Sequence, residues 1–131
     1  MKNKYLAKII AKDMQGLKLI SACCYQAKVR VFELKYLKRS QIFLVFLKRF
    51  KQEIVDNKKE VNSVLRFDFI QLVRSKNINQ NEKDLILELL AINLFKNKKN
   101  MFEISLIFKN NSYLTLHTEI VEVVLEDQNK I

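Results

Sequence analysis

Glycine occurs once in the 131 residues, and proline and tryptophan do not occur at all. A phosphate cradle made of backbone amides needs several closely spaced glycines, so nucleotide-loop enzymes are excluded. The cysteines are two, Cys23 and Cys24, and they are consecutive. On a helix, neighbouring side chains diverge by about 100°, which suits neither a routine disulfide nor two ligands of one tetrahedral metal. They read as small hydrophobes in a reducing compartment. A lone histidine, His117, rules out a metal site built on several imidazoles. The longest unbroken apolar run is residues 42–47, far short of the ~20 residues a membrane-crossing helix needs. No cofactor and no membrane span is expected.

What is present suffices for a core. Hydrophobic residues make up 49% of the chain, and a chain of this length folds as one domain, here residues 1–131 with a core of about 5–127. The charge is lopsided: residues 1–60 carry 15 basic against 5 acidic side chains, and residues 61–131 carry 9 against 9. All of the +10 net charge therefore belongs to the first half. Within it, Lys35, Lys38, Arg39, Lys48, Arg49 and Lys51 form the footprint of a polyanion binder, since each neutralised phosphate releases counterions. The competing reading is compositional. Nineteen Lys, 12 Asn and 13 Ile account for 44 residues, all with A/T-rich codons, and lysines collect on solvated faces at little cost. The start of the chain has lysines but no secretory cleavage pattern, so a cytoplasmic location is expected.

Periodicity sets the elements. Residues 5–11 suit a first strand, and Asp13 stands where a helix N-cap belongs. Leu17, Ile20, Ser21, Cys24 and Ala27 recur at three and four, predicting a helix over 14–27. From Lys28 the period becomes two, with short strands over 28–32 and 34–37, a polar turn at 38–41, and a central strand over 42–50. Residues 55–62 read as a loop. Residues 64–73 read as one strand with Leu65, Phe67, Phe69 and Val73 on its inner face and Arg66, Asp68 and Arg74 on the other. Residues 75–83 form a loop. Residues 85–95 fit helix or strand, and strand is the preferred reading. Phe102, Ile104, Leu106 and Phe108 then pair through Asn110-Asn111 with Leu114 and Leu116, leaving Tyr113, Thr115 and His117 outside. Residues 119–127 stay open between strand and helix.

Chemistry is sparse. His117 beside Glu119 could act as an oriented general base, but an exposed strand histidine needs no such role. Glu119, Glu122, Glu126 and Asp127 form an acidic stripe that could serve acid/base or divalent-ion chemistry, but that more often is a solvated face, here also a partner for the basic half. Arg66, Asp68 and Arg74 suggest ion pairing on one strand face, worth under ~1 kcal/mol. Aromatics interleaved with basic groups would favour RNA. Phe43 and Phe50 are expected inside, leaving Tyr36 and Phe32 for that purpose.

The stretches Leu17-Lys18-Leu19-Ile20-Ser21-Ala22 and Gln26-Ala27-Lys28-Val29-Arg30-Val31, then Phe43-Leu44-Val45 to Arg49-Phe50, Leu89-Leu90-Ala91-Ile92 and residues 119–127, carry a likeness over residues 6–127. In these the chain resembles a small alphaproteobacterial family catalogued as domain of unknown function 2948. The resemblance implies one full-length cytosolic domain and supplies no catalytic residues. Departures fall at the first hairpin turn, which has no proline, and at Lys51-Gln52-Glu53, where the family pattern has an Asp-Trp pair.

The expectation is an α+β domain, one N-terminal helix on a curved, mainly antiparallel sheet or partly closed barrel of about six or seven strands. Its expected function is a non-enzymatic binding or scaffolding module with a protein partner or a second copy of itself. RNA or another polyanion on the basic first half is the alternative, and an enzyme using His117 with Glu119 the third.

Overall fold

A computed structural model describes residues 7–50 and 60–128. Among these are one α-helix, α1 (Met14–Cys23), and ten strands: β1 (Lys8–Ala11), β2 (Lys28–Arg30), β3 (Leu34–Leu37), β4 (Ile42–Phe50), β5 (Glu60–Phe67), β6 (Ile70–Lys76), β7 (Ile86–Lys96), β8 (Phe102–Phe108), β9 (Ser112–Thr118) and β10 (Val123–Asp127). The helix and antiparallel sheet are as expected, but the strands outnumber the six or seven foreseen. The sheet runs β1-β10-β5-β4-β2-β7-β8-β9-β6, with β3 added beside β4, and does not close on itself. No described helix is long and apolar enough to cross a membrane.

Three-residue β2 joins the two halves of this sheet. It pairs with β4 at Lys28 and Lys48 and with β7 from Lys28 to Arg30. A single 3-10 turn, Val31–Glu33, then steps the chain sideways so that β3 resumes on the same edge of β4, Leu34 opposite Val45. The second departure from expectation is at Asp68 and Phe69. The strand read over 64–73 breaks there, sending β5 to one half and β6 to the far edge of the other. Phe69 takes φ 61° and stands 44% exposed, so it does not share the inner face with Leu65 and Phe67. Arg66 and Arg74 consequently lie on different strands, while Arg66 Nε keeps a 3.2 Å pairing with Asp68 Oδ1. Residues 60–62, read as loop, begin β5, and residues 119–127 resolve as a turn followed by strand β10.

The helix fills the seam. Asp13 Oδ1 accepts from the Gly16 amide at 2.8 Å, the foreseen N-cap. The helix stops at Cys23 rather than 27, because the following chain bonds to β7: the Gln26 amide donates to Leu89 O and the Leu89 amide to Ala27 O. Ser21 Oγ accepts from the Ile92 amide at 2.9 Å. In this way α1 covers the edge of β7 beyond the residues that pair β2, while β8 pairs β7 along its other edge. Gly16 permits the approach on the other side, where an added Cβ would lie 3.0 Å from the Ala11 Cα of β1. Leu17 and Ile20 then join Val45, Leu65, Phe67, Leu89, Leu106, Leu116 and Leu125 in one core.

At one end of that core sits a buried ion pair. Arg49 of β4 is fully buried, and its Nε and Nη2 donate to Asp127 Oδ1 and Oδ2 of β10 at 2.9 and 2.8 Å. Ser63 Oγ of β5 adds 2.7 Å to Oδ1, and the Ala7 amide 2.9 Å to Oδ2. The Asp127 amide donates back to Ala7 O. Burial raises the Asp127 carboxyl's pKa, but the bonds from Arg49, Ser63 and Ala7 outweigh it and hold the group below its ordinary value.

Removing one partner leaves a buried charge uncompensated, so Asp127→Ala should cost about 3–5 kcal/mol in urea unfolding, whereas Arg49→Met with Asp127→Leu should cost far less. The pH dependence follows from the depressed carboxyl. Its contribution is complete above the ordinary carboxylate range and is lost as pH falls through the lower folded value. The stability gap between wild type and Asp127→Asn should therefore be constant near neutrality and shrink only in acid.

Candidate ligand cleft between two sheet edges

Because the sheet stays open, β3 and β6 present edges to one another without pairing. They meet at one point, where the Tyr36 hydroxyl donates to Ile70 O at 2.7 Å. Further along they diverge, and the gap ends where residues 77–85 cross it, with the Phe32 amide bonded to Lys83 O and the Val31 amide to Leu85 O. The window left between is a cleft of about 510 Å³. Leu34 and Tyr36 of β3, Phe43 of β4, Val73 of β6, Leu114 of β9 and Ile78 of the crossing loop make it apolar, with Ser75, Gln80 and Lys83 as polar members. The face assignment follows from register: Val73 lies opposite Leu116 and Ser75 opposite Leu114, all on the inward side. Phe43 and Tyr36 rings stand 6.3 Å apart, in the range of favourable tilted contact.

A second depression of about 540 Å³ lies on the other side of the 3-10 turn, on the outer sheet face. Phe46 and Lys48 of β4, Asn62 and Val64 of β5, Lys35 of β3 and Phe32 of the turn contribute to it. Phe32, 46% exposed, belongs to both hollows.

The six basic residues separate accordingly. Lys35 and Lys48 share the outer depression. Lys38 and Arg39 are exposed at the turn before β4, away from it. Arg49 is withdrawn from the surface set, since its alternate position along β4 turns it into the core toward Asp127. Lys51 lies outside the described residues. Lys28, opposite Lys48, is engaged by Glu88 at 2.6 Å, and that bond holds the Glu88 carboxyl below its usual value.

The other sequence candidates disperse too. The acidic stripe is broken: Asp127 is buried, while Glu119 and Glu126 are exposed on a turn and a strand. His117 faces outward on β9 as foreseen, but the carboxylate nearest its Nδ1 is Glu103 of β8, at 4.0 Å, rather than Glu119. Its Nε2 is buried without a hydrogen-bond partner among the described residues. His117 lines neither hollow. Among the described residues no cluster of three or more His, Cys, Asp or Glu could hold a metal ion. The cleft itself had no signature in the chain, because its walls come from three segments separated by 30 or more residues, within 31–43, within 73–83 and at Leu114.

A family model, Protein of unknown function (DUF2948), matches residues 7–131. The chain belongs to that family. No curated protein and no solved structure gives a significant match. For this DUF2948 domain the match begins at Ala7, the residue whose amide bonds Asp127, and takes in every described strand.

The Tyr36 hydroxyl ties β3 to β6 at Ile70, so Tyr36→Phe should lower stability by about 1 kcal/mol. Amide exchange along β6 should accelerate more than along β8, because the loss is confined to that edge.

Proposed function

We propose that the domain is a non-enzymatic binding module that seats the apolar body of a ligand in the cleft between β3 and β6. The observation that carries this reading is an apolar hollow of about 510 Å³ kept open between two unpaired sheet edges. Ligand pockets fall in the range of ~300–1,000 Å³, with mostly hydrophobic and aromatic walls and a few placed polar groups. The composition here has that form: aliphatic and aromatic side chains form the floor, while a hydroxyl, an amide and an ammonium come from Ser75, Gln80 and Lys83. Such walls reward burial of apolar surface at roughly 25 cal/mol per Å². The Lys83 ammonium favours an anionic or hydrogen-bonding end on the same ligand.

A ligand of this class is represented by anilinonaphthalene sulfonate, which has an apolar ring system and one anionic group. Titrated into the native protein, it should gain fluorescence with a one-site isotherm. Val73→Phe, which fills the cleft, should abolish the site, and Phe95→Ala, which removes an exposed ring outside it, should leave the isotherm unchanged. An isotherm indifferent to Val73→Phe, or absent from the folded wild type, sinks the proposal.

A further inference from the structure

The outer depression shares Phe32 with the cleft but otherwise has its own walls and a different chemistry. Its floor is apolar, formed by Phe46 and Val64, which lie opposite one another across β4 and β5. Phe32 stands beside it, nearly half exposed at the surface of a turn rather than folded into the core. Lys35 and Lys48 flank this floor. Lys35 sits opposite Leu44, so Lys48 is four residues further along β4, roughly 13 Å away at ~3.3 Å per residue. Both lysines are exposed. The acid at the rim, Glu33, is turned toward the backbone, its Oε1 accepting from the Arg30 amide at 2.9 Å. Asn62 adds an amide at the Lys48 end.

We infer that this depression is a docking surface for single-stranded RNA. A base stacks on Phe32 above the Phe46 floor, and Lys35 and Lys48 take the phosphates on either side. Stacking on aromatic faces with cations along the strand is how unpaired nucleic acid is held without sequence readout. Asn62 is placed to meet a ribose hydroxyl, the group that separates RNA from DNA. The excess of positive charge over the whole chain, +10, raises the local concentration of any polyanion but does not choose the depression. The ring and the paired lysines do.

The test uses the full chain and a fluorescein-labelled oligouridylate of about ten nucleotides, a length that spans the ~4–16 nucleotides of comparable sites, read by anisotropy. Two phosphate contacts should weaken binding about sevenfold between 50 and 200 mM salt, at ~0.7 per phosphate in the logarithmic slope. Phe32→Ala should weaken it roughly tenfold, within the range for one stacked base. Lys35→Glu with Lys48→Glu should remove binding and its salt dependence. Lys98→Glu with Lys99→Glu, the same charge change on a distant exposed loop, should have a small effect. Equal losses in the two double variants would show a diffuse field and overturn the proposal, as would an unaltered affinity in Phe32→Ala. Equally tight binding of oligothymidylate overturns the assignment to RNA, and equal competition by heparin overturns the role of the base. Because Val73→Phe leaves this face untouched, failure here and failure of the cleft are separate results.

Discussion

The guanidinium of Arg49 and the carboxylate of Asp127 meet fully out of solvent, and four separate segments converge on that meeting. Strand β4 supplies the cation, β10 the anion, β5 the hydroxyl of Ser63, and the residue ahead of β1 both an amide and a carbonyl. Each carboxylate oxygen receives two donors, which is the condition under which a desolvated ion pair holds rather than costs stability. A hydrophobic contact would tolerate sliding along the strand. Bidentate geometry does not, so the pair fixes the register of β1, β10, β5 and β4 together. The outer depression and the cleft both depend on β4 keeping that register, since Phe46 and Lys48 face one and Phe43 the other.

Scarce glycine is accommodated by asparagine. Asn77, Asn100, Asn110 and Asn111 all take positive φ, in keeping with the tolerance of asparagine's short amide side chain for the left-handed region, and Gln26 and Gln41 take it at two further turns. The one glycine serves a different need, the close approach of α1 to β1. Phe69 is the exception: a bulky ring at φ 61°, held at the corner where the chain leaves one half of the sheet for the other. Its neighbours constrain it on both sides, with the Asp68 amide bonded to Glu122 O and the Ile70 amide to Gln41 O.

Much of the fold could be read from residue spacing, and the failures have physical causes. The alternation from Phe102 to Leu116 yields its hairpin directly, and Asp13 marks the helix start. The segment 85–95 was ambiguous because a bulge between Leu89 and Ala91 puts Leu89 and Ile92, three apart, on the same inward side. That spacing imitates a helix turn. The break at Phe69 was hidden because the residue keeps the apolar period while its backbone departs from it. Arg49 carries a signal in its parity that the charge count overrides. It stands two residues beyond Phe43, Val45 and Leu47 in an inward series, just as Ser63 precedes Leu65 and Phe67, and Asp127 follows Val123 and Leu125. Three polar residues, each on the inward parity of its own strand, predict a buried network. Charge alone assigns Arg49 to the surface, whereas its parity assigns it to the interior, where it lies. Of the basic candidates among the described residues, Lys35 and Lys48 alone share a depression, and the cleft depends on edges that spacing cannot reveal.

The distance along the chain between Arg49 and its carboxylate, 78 residues, orders events during synthesis. At ~5–20 residues per second, Arg49 is polymerised roughly 4 to 16 s before Asp127. Through that interval the guanidinium keeps its hydration and β4 has no neutral place for it inside. Strands β7, β8 and β9 are joined by short turns and can pair among themselves meanwhile. In the half containing β4, the network around Arg49 cannot close until that single acidic side chain has been made.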